Sequence, residues 1–409
     1  MKTDNILIHP SKLEGEIDAI SSKSFAHRAL IMAGLAKNPT NIYINEFSKD
    51  INVTIDSLEN LGVRIKKDKN LVKIIPPNEK IEKATIDMYE SGSSLRFFTG
   101  VCSHFSKNTK ILGEKRLAQR PNLELINNLR KHGLEISSDK IPYTIKGKLK
   151  SGKFEFLENK SSQFITAIML AASKLDGKTY IKLNQKPESI GYIDITRKVL
   201  KDFNVDVKTE NHSYIIESPQ EKSPKNYYVE GDWSNASFFY GANLLGSKIK
   251  IKNLNEKSLQ KDREIVEICQ KIKKCKKENK EIKIDISQIP DLCPIIAVLL
   301  TFLDKTSYII NGKRLRLKES DRLESTSKMI NDLGANCQII GDGLKISGKI
   351  SGGQVDSFND HRIVMAASIG SLLVKDDIII KNYKAVDKSY PSFFKTFEKL
   401  GGKIEYLGV

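Results

Sequence analysis

The chain has 409 residues, of which 39% are hydrophobic, and a formal net charge of +17. This length exceeds the size at which a single hydrophobic core usually stops growing, so we expect two domains. No apolar run reaches the roughly 18 residues of a membrane span, and the first 20 residues lack a signal-peptide core. The cysteines form no CxxC pair and the histidines no HxxH or HxxxH pair, so we expect a reduced, cytoplasmic protein without a zinc site.

Six short polar runs each open onto an apolar, helix-like stretch, and successive runs are about 70 residues apart, with one shorter step. Their markers are Ser24, Ser93, Ser161, Ser234, Pro290 and Asp360. Ser, Thr and Asp cap helix N-termini, and the exposed N–H groups there bind anions. A repeated unit that brings such helix ends together would hold a small molecule with several negative charges.

A second set of markers follows the same period, because helical patterns end in a turn and are followed by a strand-like segment. The turn residues are Gly62, Gly133, Asn204, Gly334 and Gly401. Gly or Asn after a helix is the expected left-handed cap, and a sixth turn without Gly is expected near Lys271–Lys280. Six units of alternating strands and helices predict an α/β fold of two domains with three units each. We assign residues 21–231 to the first domain, and residues 1–20 with 232–409 to the second.

Charged residues gather where these units begin. The segment Ser22–Arg28 predicts a capped helix with Ser24 and Arg28 on one face. The alternation in Arg314–Lys318 predicts a strand that ends at Lys318, followed by a helix capped by Ser320 or Asp321. Taken alone, each segment would suit a solvated, ion-paired surface as well as a binding site.

The high net charge also allows a nucleic-acid-binding protein. However, the lysine run Lys271–Lys277 has no aromatic residues interleaved for base stacking. We interpret this run as the solvated face of a helix, and we attribute the basic balance to anionic small substrates.

The ordered set of motifs resembles the 5-enolpyruvylshikimate-3-phosphate synthase family. The motifs are SKSFAHRALIMAGLA, SGSSLRFF, RPN, SSQFITA, YIDIT, EGDWSNASFF, IPDLCP, RLRLKESDRL, FNDHR and DKSYPSFF. They span Ser22 to Phe394, which is nearly the whole chain. The resemblance implies two inverse α/β barrel domains, each of three βαβαββ repeats, with the active site in the interdomain cleft.

The resemblance further implies transfer of the enolpyruvyl group of phosphoenolpyruvate to the 5-hydroxyl of shikimate 3-phosphate, as a step of chorismate and aromatic amino acid biosynthesis. It implies no cofactor or metal, no nucleic-acid or membrane partner, and a monomer. Proton transfer is assigned to Asp291 and Glu319, with Lys23 as a further catalytic residue. The implied contacts to shikimate 3-phosphate are Lys23, Ser24, Arg28, Ser161, Ser162, Gln163, Ser189, Tyr192, Asp291 and Lys318. Those to phosphoenolpyruvate are Lys23, Gly92, Arg120, Gln163, Arg322, Arg362 and Lys388.

Three residues, at two places in the chain, depart from the family pattern. Arg314 stands where some members have a substrate-contacting Asn, and Glu90-Ser91 replaces the usual Asn-Ala before Gly92. Because Gly92 is kept, we predict that glyphosate competes with phosphoenolpyruvate. The nearest alternative, UDP-N-acetylglucosamine enolpyruvyl transferase, usually has a reactive Cys where this chain has Lys115. A basic nucleic-acid-binding protein is the remote alternative.

Overall fold

The computed structural model describes residues 4–157, 161–184, 189–210, 213–218 and 223–407. The chain divides into two compact units, residues 21–230 and residues 1–20 together with 231–409. Each unit buries its own hydrophobic core. In the described residues, no helix has the length and apolar composition needed to cross a membrane.

Strands and helices alternate along the whole chain. The strands are β1 Asn5–His9, β2 Glu14–Asp18, β3 Thr40–Tyr43, β4 Arg64–Asp68, β5 Leu71–Ile75, β6 Ile81–Asp87, β7 Ser106–Leu112, β8 Leu134–Ile136, β9 Tyr143–Gly147, β10 Gly152–Phe156, β11 Gly177–Leu183, β12 Val207–Glu210, β13 Ser213–Ser218, β14 Asn226–Tyr228, β15 Lys248–Lys252, β16 Lys283–Asp285, β17 Ser307–Ile310, β18 Asn336–Ile340, β19 Gly343–Ser347, β20 Gly353–Asp356, β21 Ile378–Lys381 and β22 Lys403–Leu407. The α-helices are α1 Lys23–Leu35, α2 Lys49–Asn60, α3 Gly92–Val101, α4 Lys115–Gln119, α5 Leu123–Lys131, α6 Ser162–Ala172, α7 Ile190–Asp202, α8 Trp233–Leu244, α9 Ile265–Glu278, α10 Cys293–Leu300, α11 Arg322–Asp332, α12 His361–Gly370 and α13 Phe393–Lys399. Short 3₁₀ turns occupy Cys102–His104, Lys261–Glu264, Pro290–Leu292, Lys313–Leu317 and Tyr383–Lys388.

One sheet pattern recurs in both units. The four-stranded sheets are β14-β3-β5-β4, β6-β7-β9-β8, β10-β11-β13-β12, β16-β17-β19-β18 and β20-β21-β1-β22. In each, the first two strands are parallel and the others pair antiparallel. In the three sheets that begin with β6, β10 and β16, this order is generated by a strand, a crossover helix and a parallel strand, followed by a second helix and an antiparallel pair. The other two sheets each take one strand, β14 or β1, from a distant part of the chain. The predicted α/β class is confirmed.

The first 20 residues belong to the unit formed by the end of the chain, because both of their strands pair there. Strand β1 lies between β21 and β22, and β2 pairs in parallel with β15.

Helices that begin at the predicted polar openings form the interior of each unit. In residues 21–230, α6 packs against α1 and α3, and in the other unit α8, α10 and α12 pack on one another. Nearly every residue of α6 and all of α10 are buried. At the α3–α6 contact, a Cβ on Gly100 would lie 2.8 Å from the Ala167 carbonyl oxygen, so only glycine permits this approach.

The predicted turn residues have the expected backbone conformation. Gly62, Gly133, Asn204, Gly334 and Gly401 all have positive φ angles. The sixth turn is at Asn279, which caps α9 in the left-handed conformation. The lysine run lies on the exposed face of α9, whose buried residues are Ile265, Ile268 and Ile272.

The predicted strand at Arg314–Lys318 is wrong, because these residues lie in and just after the 3₁₀ turn Lys313–Leu317. Leu315 is fully buried whereas Leu317 is 40% exposed. A strand would place these two leucines on one face, so their unequal burial fits the turn. In the sequence, two leucines in five residues are too few to establish a two-residue period. The following helix begins as predicted, with the Asp321 side chain accepting from the Glu324 N–H.

Candidate active site

In residues 21–230, Arg28 is a buried cation surrounded by neutral oxygens. Its Nε donates to Thr196 Oγ1 at 2.8 Å, and its terminal nitrogens donate to Ser24 O, Thr166 Oγ1 and Tyr192 O. Burial lowers the pKa of the guanidinium to about 9. No carboxylate pairs with it among the residues that the structure describes. The site is therefore suited to a ligand that supplies negative charge.

Lys23 is the first residue of α1, and its ammonium lies 2.8 Å from Asp50 Oδ2 in α2. Both side chains are largely buried. The pair fixes a cation at the N-terminus of α1, where the helix dipole also favours an anion.

Gly92 lies directly beneath two guanidinium groups at the start of α3. A Cβ built on Gly92 would be 2.3 Å from an Arg120 Nη and 2.7 Å from an Arg96 Nη. Arg96 donates to Gly92 O and Pro121 O, so the RPN segment is tied to the helix end. A side chain at position 92 would displace the arginines.

The start of α6 carries three of the predicted residues. Ser161 caps this helix by accepting from the Gln163 N–H at 3.2 Å, and Ser162 is buried in its first turn. The Gln163 side chain donates to Ser93 Oγ at 2.9 Å, which connects α6 to the opening of α3. These hydroxyls and N–H groups at a helix N-terminus suit a phosphate.

Ser189 adopts a left-handed conformation, with φ of 53°, immediately before α7. This conformation costs a serine of order 1 kcal/mol, and strained residues of this kind cluster at functional sites. Tyr192, in the first turn of α7, accepts from Arg28 and Thr196 through its carbonyl oxygen.

In the unit formed by residues 1–20 and 231–409, Asp291 is held by three cations. Lys318 Nζ lies 3.0 Å from Oδ1, an Arg322 Nη 2.7 Å from Oδ1 and an Arg362 Nη 3.2 Å from Oδ2. Burial opposes ionisation of Asp291, but the charges of Arg362, Lys318 and Arg322 outweigh it and hold its pKa well below the ordinary value. Asp291 is therefore a carboxylate at neutral pH.

Arg322 is fully buried and joins this cluster to two further carboxylates. Its Nε lies 2.8 Å from Asp360 Oδ2, and a terminal nitrogen donates to Glu319. Burial opposes its charge, but the surrounding carboxylates, Asp360 first, raise its pKa. The Lys318 side chain is 18% exposed, and its partial desolvation lowers its pKa although Asp291 favours the charged form.

Asp360 organises the second part of this cluster although we did not predict it as a site residue. Its oxygens accept from Arg322 Nε and Nη, from Ser320 Oγ and from the Arg362 N–H. It thereby caps α12 and orients Arg322 at the same time. Lys388, which ends the 3₁₀ turn before α13, is buried and donates to Asn359 O at 2.7 Å.

A family model described as EPSP synthase (3-phosphoshikimate 1-carboxyvinyltransferase) matches residues 8–397. The chain belongs to this family. It is 40% identical to the 3-phosphoshikimate 1-carboxyvinyltransferase of Clostridium novyi, over 98% of each chain, and 37% identical to that of Clostridium beijerinckii, over 99% of each. The fold matches an EPSP synthase structure from Acinetobacter baumannii with a TM-score of 0.80 at 21% identity, over 98% of this chain and 99% of that one.

In this EPSP synthase family member, some of the predicted site residues contact one another directly, whereas others form hydrogen bonds with residues outside the predicted set. Asp291, Lys318, Glu319, Arg322 and Arg362 form one ion-pair network. Arg28 contacts Ser24 and Tyr192 through their carbonyl oxygens. The Lys388 ammonium is held by the Asn359 carbonyl oxygen, next to the Asp360 cap of α12.

The sequence reasoning missed several residues that support the site. In the sequence, Asp360 marks only a helix start, and Thr166 and Thr196, which accept hydrogen bonds from Arg28, lie inside helical segments without a charge to indicate a site. Asp262 was also missed: it is buried and accepts from Ser234 Oγ. Burial first, and then the charge of Asp291, raise the pKa of Asp262 to about 7. Asp262 lies in a short charged run, Lys261–Glu264, and nothing in that run indicates that this one carboxylate is buried.

Proposed function

We propose that this chain transfers the enolpyruvyl group of phosphoenolpyruvate to the 5-hydroxyl of shikimate 3-phosphate and releases inorganic phosphate. The observation that carries the proposal is the ionised Asp291 among Lys318, Arg322 and Arg362. It supplies a base and several anion-binding cations at one place. Membership of the EPSP synthase family supports the same reaction.

The acceptor contacts are proposed for both units. In residues 21–230, Ser161, Ser162 and Gln163 bind the phosphate of shikimate 3-phosphate at the start of α6, with Ser189 beside α7. Arg28, Ser24 and Tyr192 bind the remainder of the acceptor. In the other unit, Asp291 and Lys318 contact the reacting hydroxyl.

The donor, phosphoenolpyruvate, carries a carboxylate and a phosphate. We assign its contacts to Lys23, Gly92, Arg120 and Gln163 in one unit and to Arg322, Arg362 and Lys388 in the other. Arginine binds both anionic groups through paired N–H donors, which fixes their orientation. Gly92 leaves room for the donor because it places no side chain below Arg120.

The reaction proceeds by addition and then elimination. Asp291 accepts the proton of the 5-hydroxyl while the oxygen attacks C2 of phosphoenolpyruvate and a general acid protonates C3. The tetrahedral intermediate then loses phosphate by C–O cleavage, and C3 gives up a proton. We assign the proton transfers at C3 to Glu319. A general acid or base of this kind typically accelerates the reaction 10²–10⁴-fold.

Substrate charge would adjust the basicity of Asp291. In the free protein three cations hold its pKa low, which makes it a weak base. When phosphoenolpyruvate binds to Arg322 and Arg362, its negative charges offset theirs, so the pKa of Asp291 rises towards the value that a general base needs.

We also propose that the protein is cytoplasmic, acts as a monomer and needs no nucleic-acid partner. The five cysteines are free, which suits a reducing compartment. Salt-dependent binding to DNA that shikimate 3-phosphate does not displace would argue for the nucleic-acid alternative.

The test is release of phosphate from phosphoenolpyruvate with shikimate 3-phosphate, and separately with UDP-N-acetylglucosamine, as acceptor. We expect turnover with the first acceptor only. Turnover with the second alone would replace the proposed acceptor, and none with either would contradict the proposal.

Two substitutions test the assigned cations within the same assay. Arg28→Ala and Lys318→Ala should each lose about 3–5 kcal/mol of transition-state stabilisation, since each removes a buried charge that faces substrate charge. Lys328→Ala is the matched control, because this lysine lies on the exposed surface of α11 and pairs there with Asp332. Near-normal turnover of either site variant would remove that residue from the site.

A further inference from the structure

A groove of about 720 Å³ lies on the solvent face of the sheet β6-β7-β9-β8, and none of the residues that line it has a proposed role in the reaction. The opposite face of this sheet belongs to the core, where Ile86, Ile111 and Ile145 are buried. The side chains that matter for the groove are Lys83, Thr85, Asn108, Lys110, Thr144 and Lys146.

The strand register arranges three lysines around Asn108. Lys83 and Lys146 pair with Asn108 from its two sides, and Lys110 follows two residues later on the same strand between Thr85 and Thr144. Strands are about 4.8 Å apart, and alternate residues about 6.7 Å, so the three lysine Cα atoms form a triangle with sides of about 8–10 Å. Side chains of this length can converge on one group above Asn108.

These lysines lack the ion pairs that neutralise the corresponding lysines of the neighbouring sheet. On β10-β11-β13-β12, Lys153 and Lys182 pair with Glu155, while Lys178 and Lys208 pair with Glu217. In the part of the chain that the structure describes, no carboxylate lies within 4.0 Å of the ammonium of Lys83, Lys110 or Lys146.

The rest of the lining does not cancel this charge. Glu135 is the acidic residue that lines the groove, and it faces Lys146 across the strand pair. Arg130 also lines the groove, but Asp139 holds its guanidinium at 2.6 Å. A net positive patch of hydroxyl, amide and ammonium donors remains.

We propose that this groove binds a small phosphorylated ligand. A phosphoryl group accepts several charge-assisted hydrogen bonds at once, which matches three converging ammonium groups beside an amide and two hydroxyls. Among the described residues, no aromatic side chain lines the groove, so it offers no platform for the bases of a single-stranded nucleic acid. A compact, multiply charged anion is therefore the ligand that these side chains fit.

Calorimetric titration with inorganic pyrophosphate tests the proposal. The variant K83Q/K110Q/K146Q should bind pyrophosphate at the groove at least tenfold more weakly than the unmodified protein does. Its turnover in the phosphate-release assay should be unchanged. The variant K178Q/K182Q/K208Q is the matched control, because it removes the same charge from the ion-paired sheet and should bind as the unmodified protein does. Equal binding by both triple variants would overturn the proposal.

Two further measurements distinguish a phosphate site from a general attraction of the patch for polyanions. Asn108→Asp keeps every lysine but places a carboxylate at the centre of the triangle, so it should also weaken pyrophosphate binding; unchanged binding would contradict the proposal. A 20-base-pair DNA duplex should bind more weakly than pyrophosphate. Tighter binding of the duplex, lost in K83Q/K110Q/K146Q, would assign the groove to nucleic acid instead.

Discussion

Replacing Asp360 by asparagine should destabilise the unit formed by residues 1–20 and 231–409 and weaken the use of phosphoenolpyruvate. Both oxygens of Asp360 accept hydrogen bonds, one from Arg322 Nε and Ser320 Oγ, the other from an Arg322 Nη and the Arg362 N–H. Asparagine has one acceptor, so in either orientation its NH₂ group faces N–H donors. Arg322 then keeps a buried charge with one carboxylate fewer.

The expected loss of stability follows from this geometry. Asp360 and Arg322 are both fully buried, and removing one partner of a buried ion pair costs about 3–5 kcal/mol. Trp233 is the only tryptophan, and it is buried in the same unit. Its fluorescence during guanidinium chloride unfolding therefore reports the stability of this unit.

Asp321→Asn provides the control, because Asp321 also caps a helix and pairs with an arginine but is partly exposed. It should cost about 1 kcal/mol or less. In the phosphate-release assay, Asp360→Asn should also raise the KM for phosphoenolpyruvate, since both arginines that we propose for donor binding, Arg322 and Arg362, donate hydrogen bonds to Asp360. Equal stability of the two variants would refute this account of the network.

Two more predictions concern the donor site and a buried acid. Gly92→Ala should displace Arg120, because the new Cβ would lie 2.3 Å from its guanidinium. We therefore expect kcat/KM for phosphoenolpyruvate to fall about 10- to 100-fold. We also expect glyphosate to inhibit the unmodified protein more strongly than it inhibits the variant. Equal glyphosate inhibition constants would contradict the assignment. Asp262 has a pKa raised from 3.8 to about 7, mainly by burial, so the folded state holds a proton that the unfolded state releases between these pH values. Asp262 therefore stabilises the folded state below pH 4. As the pH rises to about 7 this contribution is lost, and the free energy of unfolding falls by about 4 kcal/mol. Asp262→Asn should flatten this part of the pH–stability curve, and parallel curves for both proteins would show that Asp262 ionises normally.

The sequence determined the repeated architecture, because each unit carries its own local signals. Polar caps such as Ser161 and Asp360 mark where inner helices begin, and Gly or Asn marks where outer helices end. These signals act through the backbone of neighbouring residues, so they are readable without any knowledge of packing. Six of the ten motifs that carry the family resemblance lie at the marked helix starts.

Only the tertiary structure decided which charges meet. Arg322 pairs with Asp291, Glu319 and Asp360, whereas Arg28 lies among neutral oxygens of Thr166, Thr196 and two carbonyl groups. Both arginines look alike in the sequence. Their difference depends on side chains that are distant along the chain, and on the water that packing removes around them. For the same reason, the conversion of Arg314–Lys318 into a turn and the burial of Asp262 could not be read from local pattern.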